Sequence, residues 1–456
     1  MGYIVDIICC LIIYLILFDF KKGYVIVLCC KVCIPEVVRF GIPSFSINVH
    51  DLFVLMLMIS FILSGQFKKK VIPNRLKKVV AIYIVSSFML IFLSSSYVPY
   101  AYQLSCFVKM FLLQEQTLIL LGFWAFNGLE SEKSIYVLFS FSIICGIYGI
   151  ITYFLEFNPI VQGASLMYLN EEDRFAEFIH DSRGGLSGRV SGTMQHPLSW
   201  GQFWTVLLAF YFLIRKHVYN FFGILLLFIG VINIFLSGSR SAFIGLIVLI
   251  VFLLLYVGLS KKYFIYSCVI LILGLFVLSG SDLLSKKQNS FIFSAVFFWN
   301  QDYSNRADVK GSSVQMRQSQ FESAIDLVGI HLMTGLGYEY RSYRATKGFD
   351  GDDDGTKGLE SILLKKTVEQ GLVGLGIFFY VFVMLYLCLR RYFTHENKKL
   401  YIAYFFSYLL SILFTGIQGS SWIFFVALLI WALNLSRLEM IQNLMYFLKS
   451  RKIIIR

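Results

Sequence analysis

The chain is 456 residues long and is 58% hydrophobic, 17% aromatic and 15% charged, with 40 Lys and Arg against 27 Asp and Glu for a net charge of +13. Soluble domains carry about 25% charged residues. With a mean hydropathy well above zero, the composition excludes a disordered chain, a fibrous chain and an ordinary cytosolic enzyme. Apolar runs long enough to cross a bilayer recur from end to end. The expected fold class is an all-α polytopic integral membrane protein.

Hydropathy places spans near 2–18, 23–35, 49–66, 79–94, 101–126, 134–156, 197–214, 219–236, 241–258, 263–280, 360–389, 400–416 and 421–436. That makes thirteen, or twelve if 23–35, which is short and carries Lys31, is re-entrant or broken. Residues 2–18 lack a basic leading region and a small-residue cleavage site, so they read as a first span and not as a signal peptide. The whole of 1–456 reads as one membrane domain. Two connections are long, 157–196 and 281–359, and the second is too long and too polar to be mere linkage.

Lys and Arg alternate between the two sides of these spans. One side receives Lys21, Lys22, Lys68–Lys70, Arg75, Lys77, Lys78, Lys133, Arg215, Lys216, Lys261, Lys262, Arg390, Arg391, Lys398, Lys399 and the tail from Arg437 to Arg456. The other side's short loops hold little beyond Arg39 and Arg240. The basic side is therefore expected to be cytoplasmic, with the C-terminus inside and both long loops outside. The positive charge reports topology, not a nucleic-acid partner. Within the tail 437–456, Leu438–Leu448 reads as an amphipathic helix at the inner surface. The nine cysteines fall in or beside apolar segments, so they read as small membrane-embedded hydrophobes; Cys30 and Cys33 form a CxxC with no second pair.

Chemistry is sought among outward-facing groups. Ser237-Gly238-Ser239-Arg240-Ser241 puts an arginine in the first turn of a span, among unpaired backbone N–H groups and serine hydroxyls. That suits an anion such as phosphate; an arginine snorkelling to lipid headgroups is the bland reading. Gly188-Arg189-Val190-Ser191-Gly192-Thr193-Met194-Gln195-His196-Pro197 adds backbone donors, a cation and a titratable ring, although a plain turn and helix start explains it as well. In the large loop, Arg317, Phe321, Ala324 and Val328 share a helical face ahead of His331 and the Gly335-Leu336-Gly337 turn; a solvated arginine is the alternative. Glu360-Ser361 opens the next span, continued by Glu369-Gln370-Gly371-Leu372-Val373-Gly374. Glu360 suits a general base or simply complements a helix N-terminus.

Two signals fit less neatly. Asp350-Gly351-Asp352-Asp353-Asp354-Gly355 matches the start of a calcium loop, but position twelve is Ser361 where a glutamate is needed, so a solvated acidic turn is expected and no metal is assigned. Lys109 and Glu115, with Gln114 and Gln116, lie inside the fifth span, where ionisable groups mark function by default; a structural pair is the other reading.

Taken in order, Arg189-Val-Ser-Gly-Thr with His196-Pro197, then Ser-Gly-Ser-Arg240-Ser, then Arg317 with Gly335-Leu-Gly337, then Glu360-Ser361 with Glu369-x-Gly371-x-x-Gly374-Leu375 resemble the bacterial O-antigen ligase/polymerase superfamily, and more narrowly a Wzy-type polysaccharide polymerase. The resemblance covers roughly residues 185–435; the N-terminal third matches only as apolar spans. It implies a GT-C-type glycosyltransferase of 12–13 transmembrane helices in the cytoplasmic membrane of a bacterium, working on its outer face on undecaprenyl-pyrophosphate-linked glycans. A chain-length regulator and a flippase of the same pathway are the protein partners it implies, and no cofactor. By resemblance Arg240 and Arg317 bind pyrophosphate, with Ser239 and Ser241 in the same binding set, and Arg189 assists; the chemistry of the residues themselves offers Glu360 as base, with His196 and His331 as accessory candidates. Ligases of the family usually show His-Asn where this chain has Glu360-Ser361, which favours polymerase over ligase. The family's proline before the Gly-x-Gly turn is also absent. A transporter, the rival from another class, would be expected to show internal repeats and broken helices near the midplane; no repeat is seen, and the polar residues cluster at the external face.

Overall fold

The computed structural model describes residues 2–42, 45–69, 71–95, 97–127, 131–155, 157–168, 189–257, 314–347, 361–393, 395–417 and 419–454. It is almost wholly helical, as a chain that must satisfy its own backbone hydrogen bonds in lipid has to be. In chain order the helices are α1 (Gly2–Phe18), α2 (Phe20–Cys33), α3 (Val49–Leu63), α4 (Asn74–Leu93), α5 (Tyr100–Cys106), α6 (Leu118–Ala125), α7 (Ser131–Leu155), α8 (Pro159–Tyr168), α9 (Pro197–Ile214), α10 (Asn220–Leu236), α11 (Arg240–Val257), α12 (Val314–Val328), α13 (Tyr340–Thr346), α14 (Ile362–Arg390), α15 (His395–Thr415) and α16 (Ser421–Ile454). Among the described residues six helical stretches are long and apolar enough to cross a membrane, and four shorter helices are apolar.

Every hydropathy span coincides with a helix except 263–280, which lies outside the described residues. Segment 23–35 is helical without a break as far as Cys33, where α2 ends: Asp19 caps this helix by accepting from the N–H groups of Lys21 and Lys22 at 2.9 and 3.2 Å. The interruptions fall elsewhere. Between α5 and α6 the backbone of Phe107–Thr117 is π-helical, and α14 breaks at Gly371. A two-stranded antiparallel hairpin, β1 (Arg39–Ile42) against β2 (Phe45–Asn48) with Arg39 opposite Asn48, joins α2 to α3 and was not expected from hydropathy. The connection 157–196 contains α8, and 281–359 contains α12 and α13. The helix of the last span runs without a stop through the tail to Ile454.

The centre is built on α9 and the first part of α16, whose span windows are 89% buried, against 33% for α4. Lipid tails are as apolar as leucine, so helices associate through dispersion and close packing and not by escaping water. Large flat rings supply that contact. Trp200, Trp204 and Trp431 are fully buried, and Phe126 stacks on Trp431 with ring centres 4.2 Å apart.

One end of the bundle gathers basic groups. There Lys21 donates to the Asn127 carbonyl at 2.7 Å, His217 meets Glu439 at 3.0 Å, and the Arg437 guanidinium lies 4.3 Å over the Tyr392 ring. The opposite end carries the helix starts capped by Asn48, His196 and Ser361, and every candidate residue that the structure describes lies towards it.

Candidate functional site

Helix α10 ends at Leu236 and α11 begins at Arg240, with Gly238 between them in the left-handed region at φ 57. The serines build this turn. Ser239 Oγ accepts from the Ala242 N–H at 3.3 Å and contacts Ser241 Oγ at 3.1 Å, while Ser237 Oγ accepts from the Ser239 N–H at 3.3 Å. All three are buried; Ser239 caps α11 while Ser237 and Ser241 brace it, which fixes the place of Arg240, half-buried at the positive end of the helix dipole.

The Arg189 segment folds directly onto the same turn. Arg189 donates from Nε to the Ser237 carbonyl at 3.2 Å and from a terminal nitrogen to the Gly238 carbonyl at 3.1 Å. The Val190 N–H reaches the Leu236 carbonyl at 2.9 Å. Two motifs far apart in sequence thus form one cationic turn. Downstream, Asn158 holds Ser191 and the Gly192 carbonyl at 3.0 and 2.7 Å. His196 caps α9 through Nδ1, which accepts from the Leu198 N–H at 3.1 Å; Pro197 occupies the first turn, as its missing N–H allows.

The loop turn and the opening of α14 form a second unit. In an unbroken helix the carbonyls of Val368 and Glu369 would accept from the N–H groups of Leu372 and Val373. At Gly371 φ is 66 and ψ −172, and the bonds are exchanged crosswise. Val368 accepts from Leu336 at 2.8 Å and Glu369 from Gly337 at 3.1 Å; Leu372 donates to Leu332 at 2.9 Å and Val373 to Met333 at 3.2 Å. These four groups all keep partners, and the Gly335-Leu336-Gly337 turn is locked to the span. A Cβ at Gly371 would collide with the Met333 carbonyl. Gly371→Ala is therefore expected to destabilise by about 1–3 kcal/mol from backbone strain alone, read as a lower unfolding midpoint in detergent; an unchanged midpoint would contradict the exchange.

Glu339, which sequence reasoning missed, follows this turn with φ 56, a costly conformation for a non-glycine residue. It is held by Ser342 Oγ at 2.6 Å and Lys365 Nζ at 3.4 Å, and Lys365 also lies 3.7 Å from Glu369. Burial pushes the Glu339 carboxyl up, but Lys365, Ser342 and Lys366 outweigh burial and hold it below its ordinary value. His331 packs edge-on against Tyr97 at 5.9 Å, and its carbonyl accepts from the Gly335 N–H at 2.7 Å. In α12 the expected face is partly realised: Ala324 and Val328 are buried, whereas Phe321 is exposed. The backbone of Arg317 belongs to that helix; its side chain, Glu360 and the acidic run 350–355 lie outside the described residues. Ser361 caps α14 by accepting from Leu363 N–H at 3.3 Å and donates to the Leu413 carbonyl at 2.8 Å.

A polar seam, also missed, links the two units. Gly201, on α9, lies where an added Cβ would come within 2.7 Å of Ser237 Oγ and 2.8 Å of Ser239. Its neighbour Gln202 donates to the Gly416 carbonyl at 2.7 Å and accepts from Ser421 Oγ at 2.8 Å. Ser421 contacts the Tyr408 hydroxyl at 3.3 Å. Glu115 lies within electrostatic reach of Lys366 and beside Gln116 and Trp422. Lys109 and Glu115 are therefore not paired with each other, which corrects the structural-pair reading. Lys109 meets Asp51 at 3.5 Å, and Gln114 donates to the same carboxylate. The π-helical backbone explains this, because i→i+5 winding stacks residues five apart that an α-helix would splay. Gln202, a polar residue inside an apolar run, is the sequence signal that could have found this seam.

Residues 225–379 match the family model described as O-antigen ligase. The match begins in α10 and ends inside α14, so it takes in the serine–arginine turn, α12, the Gly335 turn and the break at Gly371. Comparison with curated proteins gives no match.

Proposed function

We propose that this chain, which its match over residues 225–379 places in the O-antigen ligase/polymerase superfamily, is a polymerase of lipid-linked glycan repeat units. It transfers a growing glycan from its undecaprenyl-pyrophosphate carrier to the sugar end of another carrier-linked unit, as in O-antigen, capsule or exopolysaccharide assembly. The observation that carries the reading is the pairing of Arg189 with the turn that presents Arg240. Displacing pyrophosphate from a sugar carbon needs positive charge where the leaving group develops negative charge. The sugar C1–O bond breaks with its electron pair leaving on pyrophosphate. The acceptor hydroxyl forms the new glycosidic bond and gives its proton to a base, for which Glu360 is proposed.

In this account Arg240 and Arg317 contact pyrophosphate, Ser239 and Ser241 shape the turn, and Arg189 positions it, with His196 and His331 as accessory candidates. The reaction runs on the outer face of the bacterial cytoplasmic membrane, with both long loops outside and the C-terminal tail inside. The gathering of basic groups at the opposite end of the bundle supports that orientation.

Guanidinium groups can neutralise the leaving group without a metal, so GT-C-type transfer by the purified protein is expected to persist in EDTA. Strict dependence on calcium, lost when Asp350, Asp352 and Asp354 are neutralised, would contradict this. Deletion of the gene tests the function itself: a surface glycan reduced to a single repeat unit is the expected result. Loss of all attached glycan would instead mark a ligase, and an unchanged glycan would overturn the assignment.

A further inference from the structure

Lys31 lies in the last turn of α2 and is 5% exposed. A lysine there complements the carbonyl end of its own helix, yet that is slight compensation for a buried ammonium, which is kept by a counter-charge or hydrogen bonds. Among the described residues Lys31 has neither an ion pair nor a hydrogen bond. The acids that act on it are Glu36 and Asp51. The two oxygens of Asp51 are taken by Lys109 and Gln114. Beside it stands His50, 3% exposed; its Nε2 meets the Ile34 carbonyl at 3.0 Å, and its Nδ1 is buried with no partner.

Position gives this cluster its meaning. Around Gly419, an added Cβ would lie 3.4 Å from Glu36 Oε1 and 2.9 Å from Ser199 Oγ, so the cluster reaches the first turn of α9. Two residues further along that turn, Gly201 touches the serine–arginine turn. The last turn of α2 also meets the Arg189 segment, Thr193 Oγ donating to the Val32 carbonyl at 2.6 Å, so Lys31 stands one residue from a contact with the segment that pairs with the Arg240 turn. A polymerase holds two carrier-linked substrates at once, and each carries a phosphate.

We propose that Lys31, with Lys109 at its edge, binds the phosphate of the second lipid-linked substrate, the acceptor, while the Arg240 turn holds that of the donor. This rests on the polymerase reading. His50 Nδ1 is the neighbouring hydrogen-bonding group for that phosphate or its first sugar.

The test uses the full-length protein in nanodiscs, with a carrier-linked oligomer as donor and a carrier-linked single unit as acceptor. Lys31→Gln is expected to raise the acceptor KM about tenfold or more, roughly 1.4 kcal/mol, with the donor KM unchanged. In the wild type, farnesyl pyrophosphate should inhibit competitively against acceptor as well as donor, and the acceptor-competitive part should vanish in both Lys31→Gln and Lys31→Met. An unmoved acceptor KM in a folded variant overturns the proposal, as does the absence of acceptor-competitive inhibition in the wild type. An unmoved KM joined to lost stimulation by anionic lipid overturns it in favour of a bulk lipid headgroup. No chain extension by the wild type overturns the polymerase reading and this proposal with it, whereas extension with an unmoved KM overturns this proposal alone.

Discussion

Arg240→Lys is expected to cut polymer formation about hundredfold, the scale seen when a donor to developing negative charge is removed, while the protein stays folded in the membrane. Lysine keeps the charge but loses the planar fork that grips phosphate through two parallel bonds. The turn around Arg240 is already fixed by the capping serines and by Arg189, so a shorter-range, differently shaped cation has no freedom to move into place. If Arg240 only snorkelled to headgroups, lysine would serve as well. Arg317→Lys is expected to behave like Arg240→Lys. Polymer at the wild-type level from both variants, measured on a gel against equal membrane protein, would remove the two arginines from the mechanism.

Glu360→Gln is expected to stop chain extension while expression and binding of lipid-linked substrate persist. Glu360 immediately precedes Ser361, the cap of α14, at the position where the resembled ligases carry a histidine. A carboxylate placed among arginines that grip pyrophosphate would be held ionised, a weak base, yet one able to take a proton as the transition state develops. A residue that merely complemented the helix N-terminus would cost only about 0.3–1 kcal/mol of stability when neutralised and leave elongation intact. Near-normal elongation by Glu360→Gln would move the base elsewhere, with His196 and His331 next to be tested. His196 already spends Nδ1 on capping α9, so it could act only through Nε2.

The spans and the helix starts were legible because bilayer thickness and capping chemistry act locally. Pro197 and Arg240 each opened a helix as their sequence context indicates. The docking of Arg189 on Ser237 and Gly238 was not legible, since its partners are carbonyl oxygens that every residue carries. The Gly-x-Gly turn and Glu369-x-Gly371 were visible as two motifs, but nothing local says that one receives the backbone hydrogen bonds the other gives up. Glu339 was missed because its partner Lys365 lies across the loop and its left-handed backbone is unusual for glutamate. Lys109 and Glu115 stand out in the sequence as charges within an apolar run, and their partners were not foreseen because the π-helical winding changes which residues share a face. Lys31 stands out in the sequence only as an awkward residue in a short span; that His50 and Asp51 at the start of α3 act on it is a property of the fold.

The most direct measurement is made on purified protein in nanodiscs supplied with a single defined undecaprenyl-pyrophosphate-linked repeat unit and no other acceptor. The account predicts a ladder of carrier-linked oligomers with release of free carrier pyrophosphate, lost in Arg240→Lys. Product that forms only when a lipid A core or a protein acceptor is added, with no ladder in its absence, would contradict it.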